Sequence, residues 1–189
     1  MTLLLEWLAL NFDLPILLWI QENLWCPVLD AVMPVITLFG DAGIFWIAVA
    51  VLFLIFPKYR KMGLSMGLAL LMGVLICNVT LKPLIARPRP YTYLTEPIQL
   101  LVATPHDFSF PSGHTIASFE AATAILIRNR KLGIPAMILA VLISFSRLYL
   151  FVHFPTDVLF SVVVGIGFAF LATFLVNKGW VKWENRLKA

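Results

Sequence analysis

Apolar residues run along this chain in long stretches, separated by short polar breaks that often contain proline or glycine. Residues 3–25 are leucine-rich, but Glu6, Asp13 and Glu22 interrupt them and Trp7, Trp19 and Trp25 are spaced along them. Tryptophan favours the headgroup level of a bilayer. The stretch therefore predicts one or two amphipathic helices lying near a membrane interface, and residues 27–38 predict another of the same kind. A sixth spanning helix in this region is the competing reading. Beyond Gly40-Asp41 the pattern clears. Apolar runs at 43–57, 63–81, 115–127, 133–152 and 157–177 predict five spanning helices. Several fall short of the ~20 residues that cross a hydrocarbon core, so their ends are expected to extend into the flanks. Residues 82–113 form a polar, proline-rich connection. The expected fold is all-α: a polytopic membrane helix bundle of about five transmembrane helices plus N-terminal interfacial helices. It forms one integral-membrane domain over residues 1–189, with the chemistry concentrated between 80 and 178.

Composition supports the same solvent. Apolar residues make up 61% of the 189 and charged residues 13%, about half the ~25% charge of a soluble domain. So few charges cannot cover a soluble surface, and a disordered chain is excluded as well. A net charge of +4 would hint at nucleic acid in a soluble protein, but here the placement of the cations decides. Ten of the 14 Lys and Arg lie in three clusters, at 58–61, 128–131 and 178–188. Two predicted spans separate each cluster from the next, so all three share one side. The positive-inside rule makes that side, and the C-terminus with it, cytoplasmic. Trp180 and Trp183 among the tail lysines read as an interfacial anchor. The other four cations, Lys82, Arg87, Arg89 and Arg147, fall at the opposite, outer ends of the helices. Cys26 and Cys77 have neither disulfide nor metal-ligand spacing and read as small buried hydrophobes.

All three histidines, His106, His114 and His153, lie on that outer side together with Asp107, Ser112, Gly113, Ser146 and Asp157. Ionisable groups at a membrane-embedded mouth are expensive and mark function. Several Lys and Arg converging with backbone amides make an anion site, and phosphate is the obvious anion. Pro111-Ser112-Gly113-His114 precedes an apolar helix, which aims free N–H groups and the positive end of the dipole at such an anion. His153 and Asp157, four residues apart, share one face of a helical turn, where the carboxylate can orient the imidazole and leave its other nitrogen free. His114 is then available as a proton donor. With no acidic cluster of metal-ligand type, the residues read as metal-independent phosphoryl transfer through a histidine, with no cofactor. A transporter could use the same cations, but it would not need a His–Asp pair and a second histidine. Glu120, deeper in its helix, reads as a hydrogen-bonded packing residue, with a proton relay as the alternative.

Lys82 to Arg89-Pro90 spells K-x(6)-R-P, Pro111 to His114 spells P-S-G-H, and Ser146 to Asp157 spells S-R-x(5)-H-x(3)-D. In order and spacing these resemble the three signature motifs of the type 2 phosphatidic acid phosphatase superfamily. The resemblance implies that His153 is the nucleophile of a phosphohistidine intermediate, oriented by Asp157, and that His114 is the general acid. It implies that Lys82, Arg89, Ser112, Gly113 and Arg147 bind the phosphate. Arg87, an additional cation inside the first motif, or His106 is the expected contact to a second phosphate. Within the superfamily the short chain is similar to undecaprenyl-diphosphate phosphatases, while phosphatidylglycerophosphate and phosphatidate phosphatases share the same motifs. The implied substrate is a membrane lipid phosphate presented from the bilayer at the outer face of the cell membrane. Nucleic acid is not an expected partner, and the oligomeric state is left open.

Overall fold

The computed structural model describes residues 2–95 and 98–188, the side chains from Trp183 onward excepted. Trp183, Arg186 and Lys188 of the third basic cluster thus lie outside the described side chains. All regular structure in the described residues is helical. The first helix, α1 (Leu3–Leu24), contains one π-helical turn at Ala9–Asp13 and ends where Trp25 turns extended. Pro27 sits at the start of α2 (Pro27–Leu38), where its missing N–H costs nothing. The chain then breaks at Gly40–Gly43, with positive φ at Ala42 and Gly43, and α3 (Ile44–Ile55) leaves in a new direction. The fourth helix, α4 (residues 60–85), is α-helical to Met72, π-helical through Gly73–Leu81, and ends at a left-handed Ala86. Ser112 caps α5 (Gly113–Arg128) and Asn129 caps α6 (Arg130–Tyr149). The last helix, α7 (Pro155–Lys188), opens on a proline and has Asp157 in its first turn.

Among the described residues, five segments are long and apolar enough to span a bilayer: Leu3–Leu24, Pro27–Ile55, Pro57–Tyr93, Arg130–Tyr149 and Pro155–Lys182. Their number is the expected one, but their membership differs. The first segment qualifies by length, and α5, at 16 residues, does not. The packing explains both differences. α5 is buried almost all round, from Thr115 to Ile125, by α3, α4, α6 and α7. A helix sheathed in protein need not match the hydrocarbon thickness. Trp46 of α3 donates its indole N–H to Ser118 Oγ at 3.0 Å. Gly63 and Gly165 allow close backbone approach, because an added Cβ would sit 2.7 Å from the Ala50 carbonyl and 3.0 Å from that of Ile116.

The contacts of α1 show how it lies. The Leu5 carbonyl accepts from Arg87 (3.4 Å), Asp13 accepts from the Thr156 N–H (2.9 Å), and Gln21 donates to the Tyr149 carbonyl (3.1 Å). These partners all belong to one end of the bundle, yet Leu5 and Gln21 are about 24 Å apart along a helix. A helix parallel to the bundle would leave that end after one such contact. α1 therefore packs across that end of the bundle. α2 lies there too, with Asp30 accepting from Tyr149 Oη (2.6 Å) and Thr37 from Arg147 (2.6 Å). At the opposite end Arg128 donates to Asn177 (2.8 Å) and Lys61 stacks over Trp180 at 4.9 Å. The described parts of the three basic clusters thus converge there.

Candidate active site

The α6–α7 turn places His153. Its N–H and that of Val152 both donate to the Arg147 carbonyl (3.3 and 3.2 Å), while Phe151 is forced to φ +59°. Left-handed backbone at a buried, bulky residue is costly and persists only where packing over-determines it. Here Leu150, Phe151, Val152 and Phe154 are all buried. The imidazole is itself 2% exposed, with Nε2 3.4 Å from Arg89 Nη1. Nδ1 faces Asp157 Oδ2 at 3.8 Å and has no hydrogen-bond partner. The expected carboxylate–imidazole pairing is in place as an ion-pair contact, longer than a hydrogen bond. Asp157 is held by other groups: Ser109 Oγ (2.5 Å), the Phe154 N–H (3.0 Å) and Arg87 (2.5 Å). The Phe154 bond is the acidic half of a capping box at the start of α7. Burial, and then the charges of Arg89, Arg147 and Lys82, push the His153 imidazole well below the ordinary histidine range.

Three cations surround this ring. Arg89, on extended chain beyond α4, donates to the Val152 carbonyl (2.6 Å) and to the backbone and side chain of Asp107 (2.8 and 2.5 Å). Lys82 reaches the other Asp107 oxygen at 2.5 Å. Burial would raise the Asp107 carboxyl, but the hydrogen bonds and charges of Lys82 and Arg89 outweigh it and hold the group at about 2. A carboxylate bridging both cations shows that the pair presents its donors to an oxyanion. Arg147 is fixed by Thr37, and its Nε has no partner.

His114 stands at the start of α5, with Nε2 2.7 Å from Asp41 Oδ1. The α2–α3 break is shaped around it: a Cβ on Gly40 would lie 2.6 Å from the imidazole Cδ2. One cavity of about 900 Å³ joins these groups. Lys82, Arg89, His114, Arg147 and His153 line its polar end, and Ile47, Leu70, Val74, Ile116 and Ala117 line the rest. Glu120 lies deeper on the same wall, its Oε1 without a hydrogen-bond partner, beside Gly73 where the π-helical segment begins. A Cβ on Gly73 would lie 2.5 Å from Glu120 Oε1, so a larger residue there would displace the carboxyl. Among the described residues no three His, Cys, Asp or Glu side chains converge as metal ligands do.

Of the expected phosphate ligands, Lys82, Arg89, Gly113 and Arg147 border the cavity and Ser112 does not. Ser112 is fully buried, its hydroxyl caps α5, and its N–H donates to Ser161 Oγ at 2.9 Å. Ser146 returns its hydroxyl to the Ile143 carbonyl. Arg87 departs furthest from expectation. The left-handed turn at Ala86 sends it behind His153, 2% exposed, where Asp13 and Asp157 hold it away from the cavity. His106 is exposed on the loop and is not among the cavity-lining residues. Sequence reasoning missed Asp13, Asp41, Thr37 and Ser109. Asp13 and Asp41 were visible only as polar interruptions, and their partners lie 143 and 73 positions away.

The chain is similar to known proteins over most of its length. Residues 62–180 match the model of the PAP2 superfamily. An undecaprenyl-diphosphatase of Sulfolobus acidocaldarius is 36% identical over 146 residues, covering 76% of this chain and 70% of the relative. The undecaprenyl-diphosphatase BcrC of Bacillus subtilis is 35% identical over 144 residues, covering 76% and 73%. Among solved structures, Aquifex aeolicus LpxE superposes with a TM-score of 0.75 at 26% identity, covering 86% of this chain and 94% of that one. The matched region contains every residue that borders the polar end of the cavity except Asp41 and Thr37, and on sequence, fold and site together this chain is a membrane phosphatase of the PAP2 superfamily.

Proposed function

We propose that this protein hydrolyses undecaprenyl diphosphate to undecaprenyl phosphate and inorganic phosphate through a phosphohistidine. The observation that carries the reading is the single cavity with His153 and His114 at its cation-lined end and an apolar wall beyond. A lipid can leave its terminal phosphate among Lys82, Arg89 and Arg147 while its chain follows the apolar side. Two relatives that act on undecaprenyl diphosphate by name support the choice of lipid. The active site faces the outer side, opposite the basic clusters.

His153 Nε2 attacks the terminal phosphorus as a neutral base. An N–P bond forms and the P–O bond to the lipid phosphate breaks. Lys82, Arg89, Arg147 and the free N–H groups around Gly113 neutralise the charge on the equatorial oxygens. His114 supplies the proton that the departing oxygen needs. Water then attacks phosphorus and gives its proton to His114, and the N–P bond breaks to regenerate neutral His153 and release phosphate. Asp157 stabilises the phosphorylated imidazolium from the Nδ1 side.

The test is phosphate release by the purified chain in detergent on undecaprenyl diphosphate, phosphatidylglycerophosphate and phosphatidate. The expected order of kcat/KM places undecaprenyl diphosphate first. His153→Asn should lose at least about 10³-fold of kcat, as removal of a nucleophile does. Equal kcat/KM on a phosphomonoester lipid would overturn the choice of substrate, and a His153→Asn protein with wild-type turnover would overturn the mechanism.

A further inference from the structure

Three of the four cations at the site end line the cavity, and Arg87 does not. Its guanidinium lies between two fully buried carboxylates, donating through Nη1 to Asp157 Oδ1 at 2.5 Å and through Nη2 to Asp13 Oδ2 at 2.7 Å. Thr156 closes the cluster. Its N–H donates to Asp13 Oδ1 (2.9 Å), its hydroxyl donates to Asp13 Oδ2 (2.7 Å), and the same oxygen accepts from Arg87 (2.8 Å). The Phe154 ring stacks 4.0 Å from the guanidinium carbon. Removing Arg87 would leave two buried carboxylates with no cation between them. Phe154, Thr156 and Asp157 all lie within four residues of His153, so the cluster grips the turn that carries the nucleophile.

We propose that Asp13 and Arg87 are positioning residues for His153, acting through Asp157, and that α1 is thereby part of the catalytic apparatus as well as a membrane-facing helix. The proposal rests on the reading of His153 as nucleophile. Arg87 binds the far side of Asp157 and leaves its Oδ2 facing Nδ1 of the imidazole. Asp13 supplies the second negative charge, so the three ionised groups together carry −1. That charge faces the ring that becomes an imidazolium when Nε2 takes the phosphoryl group. A cation placed to bind a second phosphate would have to face the cavity. Arg87 is sealed from it and acts on the chemical step instead of on substrate binding.

The experiment uses the full chain in detergent, with quenched-flow trapping of phosphoenzyme from terminally labelled undecaprenyl diphosphate. Asp13→Asn keeps the shape and one of the two acceptor oxygens but removes the charge, and Arg87→Gln removes the cation. Phosphoenzyme formation should slow by about 10-fold in D13N and about 100-fold in R87Q, with KM within about twofold of wild type. R87K should recover part of the loss, because it restores the charge without the fork. In an Asp157→Asn background the same changes should cost less than about threefold further, since residues acting as one unit are not additive. An effect confined to KM would overturn the proposal, and so would full additivity with D157N. If R87Q cannot be purified folded, D13N with an unchanged melting temperature decides alone. An inactive H153N beside a D13N of wild-type rate overturns this inference only, whereas an active H153N overturns the nucleophile reading beneath it.

Discussion

Two histidine–aspartate pairs flank the cavity, and they are built in opposite ways. His153 and Asp157 have side chains 2% and 0% exposed, on a strained turn between two long helices. His114 and Asp41 have side chains 18% and 52% exposed, the carboxylate riding on a glycine-rich break between two short helices. The first pair is gripped from behind by Arg87, Asp13, Ser109 and Thr156. The second is in direct contact at 2.7 Å. The contrast suits the two tasks proposed for these histidines. A nucleophile meets the same phosphorus in every substrate and gains from fixed geometry. A proton donor meets leaving oxygens that differ in position and basicity, and gains from an exposed mount.

Removing the acid should break the contrast most visibly. His114→Asn leaves the nucleophile intact, so its cost depends on how much proton the leaving group needs. A lipid alcohol departs as a strongly basic alkoxide, and on phosphatidate the variant should lose about 10²–10⁴-fold of kcat. A lipid phosphate departs as a weaker base, and on undecaprenyl diphosphate the loss should be at least tenfold smaller. Steady-state kcat on the two substrates decides the matter. Equal losses would mean that His114 binds phosphate and does not donate a proton.

Exchanging the carboxylate partner has a smaller effect. Asp41 touches His114 from the cavity rim, so Asp41→Asn keeps a hydrogen-bonding group but loses the charge that favours a protonated ring. We expect about a 10-fold loss of kcat on phosphatidate, less on the diphosphate, and no change in phosphoenzyme formation from a substrate with an activated leaving group. Asp157→Asn, by comparison, should slow phosphoenzyme formation whatever the leaving group. Similar leaving-group profiles for D41N and D157N would erase the distinction between the two pairs.

The same contrast marks what was legible in the sequence. Lys82, Arg89, His114, Arg147, His153 and Asp157 sit at fixed spacings on the ends of apolar helices, and their convergence at one end of the bundle could be read. The all-helical fold and the number of spans were legible for a similar reason, since hydropathy is a local signal. Their membership was not, because burial of α5 and the length of the first segment emerge only in the packed bundle. Arg87 was misassigned because a cation two residues from a phosphate ligand looks like another ligand. Only the left-handed Ala86 and the distant Asp13 send it behind the nucleophile. Ser112 was read as a phosphate ligand, but its hydroxyl caps α5 and its N–H donates to Ser161. Asp13 and Asp41 reach the site through long-range packing, which no local pattern encodes.

The smallest effect concerns pH, where burial pushes both histidines down, His114 to about 4. An ordinary histidine, half-protonated near 6.5, is about threefold less available as a neutral base at pH 6 than at pH 7. His153 is displaced downward, first by burial and then by the charges of Arg89, Arg147 and Lys82. Its neutral form therefore persists as the solution is acidified through pH 6, and protonation removes the nucleophile only at lower pH. The sign for stability runs the same way. Below 6.5 the unfolded chain takes up a proton that the folded site refuses, so acidification destabilises the fold through this residue. Phosphoenzyme formation should accordingly stay nearly flat between pH 7 and pH 6, once corrected for substrate ionisation measured separately. A threefold fall across that unit would place His153 in an ordinary, solvated environment and remove the burial from which its fixed geometry is argued.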